Sequence, residues 1–265
     1  MNKSKLDPKL VDVMQVLAKQ LEATLGDNFL ALYLIGSFAM GAGDEHSDVD
    51  FLAITEHDLT NEQVKQVEAI HQAIYDTAHP YSNHLEGSYF PKSIFADRDQ
   101  WYQPIWYLDD GAKQLERSAH DNESVVFWVT REYGITIYGD PPESYIPIIT
   151  NGELRHNIQY TMTHWSKSIF TGNYVIDNMW AQPFTVMSWC RMMQTLATNR
   201  IHSKQAGVEW GIANLNSKWH SLIEQSWQDR PNPSEKVYMQ PTAEQIEQTH
   251  DFIRYALDWS QTYFD

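Results

Sequence analysis

The sequence predicts an α/β domain built on a mixed sheet, followed by an all-α helical bundle. Three observations carry that expectation. Up to about residue 140, apolar runs of strand length alternate with segments of helical period, the order helix, strand, helix, strand, helix, strand. Beyond GDPP (residues 139–142) the strand-like runs stop and only helical periodicity remains. The chain has 265 residues, 42% of them hydrophobic, which suits two modest cores better than one large one. The expected domains are therefore 1–150 and 151–265.

The elements follow in order. Asp7 and Pro8 start a helix in which Leu10, Met14, Leu17, Leu21 and Leu25 recur at helical spacing until Gly26 stops it. FLALYLI (29–35) is short, apolar and followed by glycine, as a buried strand should be, and DVDFLAIT (48–55) resembles it but opens on carboxylates. Thr60 with Gln63 forms a capping box for a helix to about residue 78, and HLEGSYF (84–90) is the third strand. In the second domain helices are expected over 153–170, 183–198, 204–213, 217–227 and 243–263, with Ser203 and Thr242 as N-caps. His120, Asp121, Asn122 and Glu123 form a polar cluster near the domain junction, within reach of the nucleotide in one reading and a loop between helices with no function of its own in the other.

Charge and cysteine usage narrow the function. Thirty-five acidic residues against 19 basic ones give a formal charge of -16, which repels a nucleic-acid backbone or an anionic membrane and favours cationic or metal-bridged partners. Cys190 is the one cysteine and lies among Met187, Trp189, Met192 and Met193, so it belongs to a core in a reducing compartment. The first fourteen residues lack the apolar stretch of a secretion signal, and no apolar run is long enough to span a bilayer. A cytoplasmic location is expected.

The stretch LYLIGSFAMGAGDEHSDVDFLAIT (32–55) carries the chemistry. Gly36 and Ser37 end one strand where a helix could begin, offering free backbone N–H groups and a positive dipole end to a phosphate, with glycine allowing close approach. Asp48 and Asp50, two apart on a strand, project from one face. Two like charges so placed are costly together unless a cation sits between them, and Mg2+ wants this kind of oxygen pair. Glu86 adds a third carboxylate from the third strand, on the same face as His84. Three such acids can hold a metal–nucleotide complex and deprotonate an attacking hydroxyl, the two needs of in-line nucleotidyl transfer.

Gly-Ser after an apolar strand, ten residues, then Asp-x-Asp opening another strand resembles the signature of the nucleotidyltransferase superfamily. Most of the chain looks like the bacterial aminoglycoside adenylyltransferases of the streptomycin and spectinomycin type. HLEGSYF resembles the segment carrying that family's catalytic glutamate, EYGITIYGDP its domain junction with Asp140 inserted before Pro141, and WCRMMQTLATNRIHSKQAGVEWGIANL its stretch from an Arg-bearing helix through Ser-Lys to a Trp-bearing helix. The resemblance implies ATP as co-substrate, two Mg2+ ions on Asp48, Asp50 and Glu86, and Glu86 as base. It also implies Ser37, Ser47 and Lys204 as nucleotide ligands.

Two departures bear on the acceptor. NMWAQPF puts Ala181 where the resistance enzymes carry an acid for the drug's cationic groups, leaving Asp177 as the nearest carboxylate. Asn83 and His84 replace an arginine–proline pair. Trp101, Trp106, Trp165 and Trp180 are candidates for holding a sugar or organic cation. The expected activity is Mg2+-dependent transfer of AMP from ATP to a hydroxyl of a small, polar or cationic, aminoglycoside-like acceptor. The alternatives are a nucleotide-binding regulatory module or a protein-modifying adenylyltransferase.

Overall fold

The computed structural model describes residues 6–264 and divides into two compact units, Met1–Ile149 and Thr150–Asp265. Among the described residues no helix is long and apolar enough to cross a membrane.

In the first unit α1 (Pro8–Leu25) begins at Asp7, whose side chain accepts the Lys9 N–H, and ends at Gly26 with a positive φ of 52°. It leads to β1 (Phe29–Leu34), the single-turn α2 (Gly36–Ala39), β2 (Val49–Thr55), α3 (Asn61–Tyr75) and β3 (Leu85–Pro91). The Thr60–Gln63 capping box forms as expected. Beyond β3 come α4 (Ser93–Ala96), β4 (Ile105–Leu108), β5 (Glu116–Ser118), α5 (Ser124–Tyr133) and β6 (Ile135–Tyr138).

The strands form one six-stranded sheet in the order β5-β4-β3-β2-β1-β6. β2 and β3 are parallel and the other pairs antiparallel, so the sheet is mixed. Alternation along the strands sends Val49, Phe51, Ala53, Leu85 and Tyr89 to the face covered by α1 and α3. Phe90 points to the other face, where its ring lies 5.5 Å from Phe127 of α5. Glu86 and Ser88 share that second face with Phe90.

The second unit is helical throughout: α6 (Asn151–Phe170), α7 (Ala181–Thr198), α8 (Lys204–Asn214), α9 (His220–Asp229), α10 (Pro233–Lys236) and α11 (Ala243–Ser260). Thr150, Ser203 and Thr242 cap α6, α8 and α11. The expected helix over 217–227 begins instead as a 3-10 turn, Ser217–Trp219, before α9. α7 is buried on nearly every side, from Ala181 through Trp189 and Cys190 to Leu196, which marks it as the unit's central helix. Its closest neighbour is α8: a Cβ at Gly207 would come 2.6 Å from Arg191 Cγ, and one at Gly211 would come 3.1 Å from Cys190 Sγ.

Candidate active site

The acids meet because of register. β2 and β3 run parallel with Asp50 directly opposite Glu86, flanked by the buried pairs Val49–Leu85 and Phe51–Gly87. Burial of the flanking residues forces the two carboxylates out on the other face, side by side. Asp48 lies one step before β2 and adds a third charge there. Gly87 permits the close approach of β2, since a Cβ on it would come 2.1 Å from the Phe51 carbonyl oxygen.

Gly36 heads α2 with φ +63°, and a Cβ on it would come 1.8 Å from Asp50 Oδ2. The Ile35 N–H donates to the Asp50 carbonyl at 2.9 Å, so the start of α2 is tied to the acid-bearing strand. Ser37 follows within α2, whose N-cap, Ile35, supplies no capping side chain. Ser47 lies in the loop before Asp48: its hydroxyl donates to Asp44 Oδ1 at 3.1 Å and accepts the Asp44 N–H at 3.0 Å, which folds the loop back toward β2.

Glu86 is largely buried, with its side chain 17% exposed. Burial pushes its carboxyl up to about 7; the Tyr107 hydrogen bond opposes this, the Asp48 and Asp121 charges reinforce it, and His120 lowers it. Tyr107 donates to Glu86 Oε1, and His120 Nε2 lies 3.8 Å from the same oxygen. Behind them Ser88 donates to Asp121 Oδ2 at 2.7 Å, and burial raises the Asp121 carboxyl.

The residues present fit a hard divalent cation. Asp48 and Asp50 supply oxygen donors, and the glycine at 36 leaves the space against Asp50 that any side chain would fill. Among the described residues, the group whose ligand atoms all lie within 4.8 Å of one another is Asp48, His84 and Asp110, which shares Asp48 with the expected set but not Asp50 or Glu86. His84 Nδ1 is 3.6 Å from Asp110 Oδ1, and the neighbouring carboxylate raises the imidazole's pKa.

The aromatic candidates in the first unit stand apart from these acids. Trp106 pairs with Tyr89, so it lies on the sheet face opposite Glu86, beneath the Arg117 guanidinium at 4.2 Å from its ring. Trp101 is 5% exposed, packs against Phe127 at 5.1 Å and donates its indole N–H to the Ile94 carbonyl at 3.1 Å. Both act in packing, for a sheet edge and a core respectively. The cluster at 120–123 joins β5 to α5 and is not a loop between helices. Tyr107 and Asp110 were not among the expected residues; IWYL after Pro104 is a short apolar and aromatic run with no alternation of its own, and it is pairing with β3 that turns Tyr107 toward Glu86.

Lys204, Trp165 and Asp177 belong to the second unit. Lys204 opens α8 behind the Ser203 cap, with its ammonium 5.1 Å from the centre of the Phe184 ring. Trp165 packs among Tyr174, Phe184 and Trp189. Asp177 is exposed in the segment before α7, while Ala181, where an acid was looked for, is buried and donates its N–H to Asn178 Oδ1 at 2.8 Å.

Fold and acids together define a class: a mixed-sheet nucleotidyltransferase unit followed by a helical unit. Residues 146–256 match the family model described as "Aminoglycoside adenylyltransferase, C-terminal domain". The spectinomycin 9-adenylyltransferase of Campylobacter jejuni is 24% identical over 213 residues, covering 76% of this chain and 78% of that protein. The crystal structure of a spectinomycin adenyltransferase from Enterococcus faecialis, with ATP and spectinomycin, superposes with a TM-score of 0.68 at 17% identity, covering 93% of this chain and 98% of that one, which shows the shared fold. The resemblance to the aminoglycoside adenylyltransferases therefore holds, in sequence over residues 146–256 and in fold over most of the chain.

Proposed function

We propose that the protein transfers AMP from ATP to a hydroxyl of an aminocyclitol antibiotic of the spectinomycin type, in a Mg2+-dependent reaction. The observation that carries this is the register of Asp50 opposite Glu86, with Asp48 one step before β2. The family match over 146–256 and the relatives that act on spectinomycin support an antibiotic as acceptor. The formal charge of -16 favours a cationic one.

In this reading Asp48 and Asp50, with Glu86, would hold two Mg2+ ions, which would supply positive charge to offset that of the nucleotide's phosphates. Gly36 keeps the space beside Asp50 open, and Ser37 and Ser47 bind the nucleotide. Glu86 removes the proton from the acceptor hydroxyl, whose oxygen bonds to the α-phosphorus as the bond to pyrophosphate breaks. The raised pKa of Glu86 makes it a stronger base than a solvated carboxylate. Lys204 offsets the charge on the departing pyrophosphate. Trp165 and Asp177 are the candidates for contacting the acceptor.

The test supplies ATP and Mg2+ with spectinomycin, streptomycin or neither, and reads pyrophosphate release and the mass of the drug. The expected result is release dependent on spectinomycin, with one adenylyl group added to it. Release without any drug, accompanied by an AMP adduct on protein, would replace this reading with a protein-modifying one.

A further inference from the structure

Glu86 is held by one oxygen only. Tyr107 stands on β4 directly opposite Ser88 of β3, so its ring lies on the Glu86 face of the sheet and its hydroxyl reaches back along β3 to Oε1. His120 approaches the same oxygen, its ring 5.1 Å from the Tyr107 ring. Among the described residues no protein group donates to Oε2.

The donor is well suited to this place. Burial, then the bond to Glu86, keeps the Tyr107 phenol protonated far above the ordinary range, so it donates at any working pH. Its oxygen also lies 3.2 Å from Asp109 Oδ1, but a phenol has one proton, and the closer partner is Glu86. A glutamate side chain has several rotatable bonds and a carboxylate that can present either oxygen. Pinning one of them in a largely buried position leaves the other aimed in a single direction.

We propose that Tyr107 is the positioning residue for the base: its hydroxyl occupies Glu86 Oε1 and leaves Oε2 as the oxygen that meets the acceptor hydroxyl. The inference rests on the reading of Glu86 as base, and the experiment separates the two.

Tyr107→Phe keeps the ring and deletes only the hydroxyl. It is expected to lower kcat about tenfold to a hundredfold, the effect of losing a hydrogen bond to a charged group. KM for ATP should stay within twofold and Tm within a few degrees. Glu86→Asp draws the carboxylate back from Tyr107 by one methylene, so Tyr107→Phe should cost less than threefold in that background. A kcat within twofold of wild type for Tyr107→Phe, an equal loss in the Glu86→Asp background, or a change confined to KM or Tm would overturn the proposal. Full turnover by Glu86→Gln would instead overturn the reading of Glu86 as base.

Discussion

Gly36 and Asp50 share a space that no side chain can enter: a Cβ at position 36 would come 1.8 Å from Asp50 Oδ2, and the glycine's φ of +63° lies where other residues are strained. The proposed phosphate seat and the proposed metal arm are thus one packed unit. Gly36→Ala should displace the Asp50 carboxylate, lower Mg2+·ATP affinity at least tenfold by calorimetry, and cost about 1–3 kcal/mol of stability from backbone strain. An alanine variant with wild-type affinity would show that this contact is not needed.

Asp50→Asn separates chemistry from folding. Asp50 and Glu86 are neighbouring carboxylates in register, so neutralising one relieves repulsion and should leave Tm unchanged or slightly higher. Turnover should fall by roughly a thousandfold, about 4 kcal/mol of lost transition-state stabilisation. Thermal unfolding and initial rates on one preparation check both halves.

Glu86 sets a pH dependence with a definite sign. Its folded pKa of about 7 stands above the ordinary 4.5, so its contribution to stability is fully present below 4.5 and is lost as pH rises through about 7. The loss is on the order of 3 kcal/mol at most, and Glu86→Gln should be the more stable protein at pH 8. Activity runs the other way, since a base must be deprotonated: kcat/KM should rise with pH toward a plateau above 7. Denaturant melts and rate profiles between pH 5 and 9 test the pair of trends.

His71 gives the opposite stability trend. It is buried on α3 with Nε2 2.6 Å from the Tyr89 hydroxyl, and burial pushes its pKa from 6.5 down to about 3. Its contribution is therefore present above 6.5 and lost as pH falls toward 3, roughly 3 kcal/mol between pH 6.5 and 4. His71→Gln should flatten that part of the stability curve, which denaturant unfolding across the range would reveal.

The structure also shows where reading residues works. Strands β1, β2 and β3 are legible because each is an apolar run beside a turn signal, and alternation alone places Asp50 and Glu86 opposite the buried Val49 and Leu85. The Thr60, Ser203 and Thr242 caps are legible because capping is local chemistry. β4 and β5 are not, because strands of four and three residues depend on the partner they pair with, and ERS has no apolar pattern of its own. Tyr107 is illegible for the same reason, since its facing depends on β4 pairing with β3. Trp101 and Trp106 are ambiguous in the sequence for a different reason: a large ring serves a core or a sheet edge as well as a ligand, and only register shows that Trp106 faces away from Glu86.

In the proposed function, Asp50 and Glu86 together carry out adenylyl transfer. The most direct measurement is formation of adenylylated spectinomycin from ATP and Mg2+ by the wild type, Asp50→Asn and Glu86→Gln proteins, each shown to be folded by its thermal transition. Product is expected from the wild type, with a loss of at least a hundredfold in both variants. Product formed by either variant at the wild-type rate would contradict it.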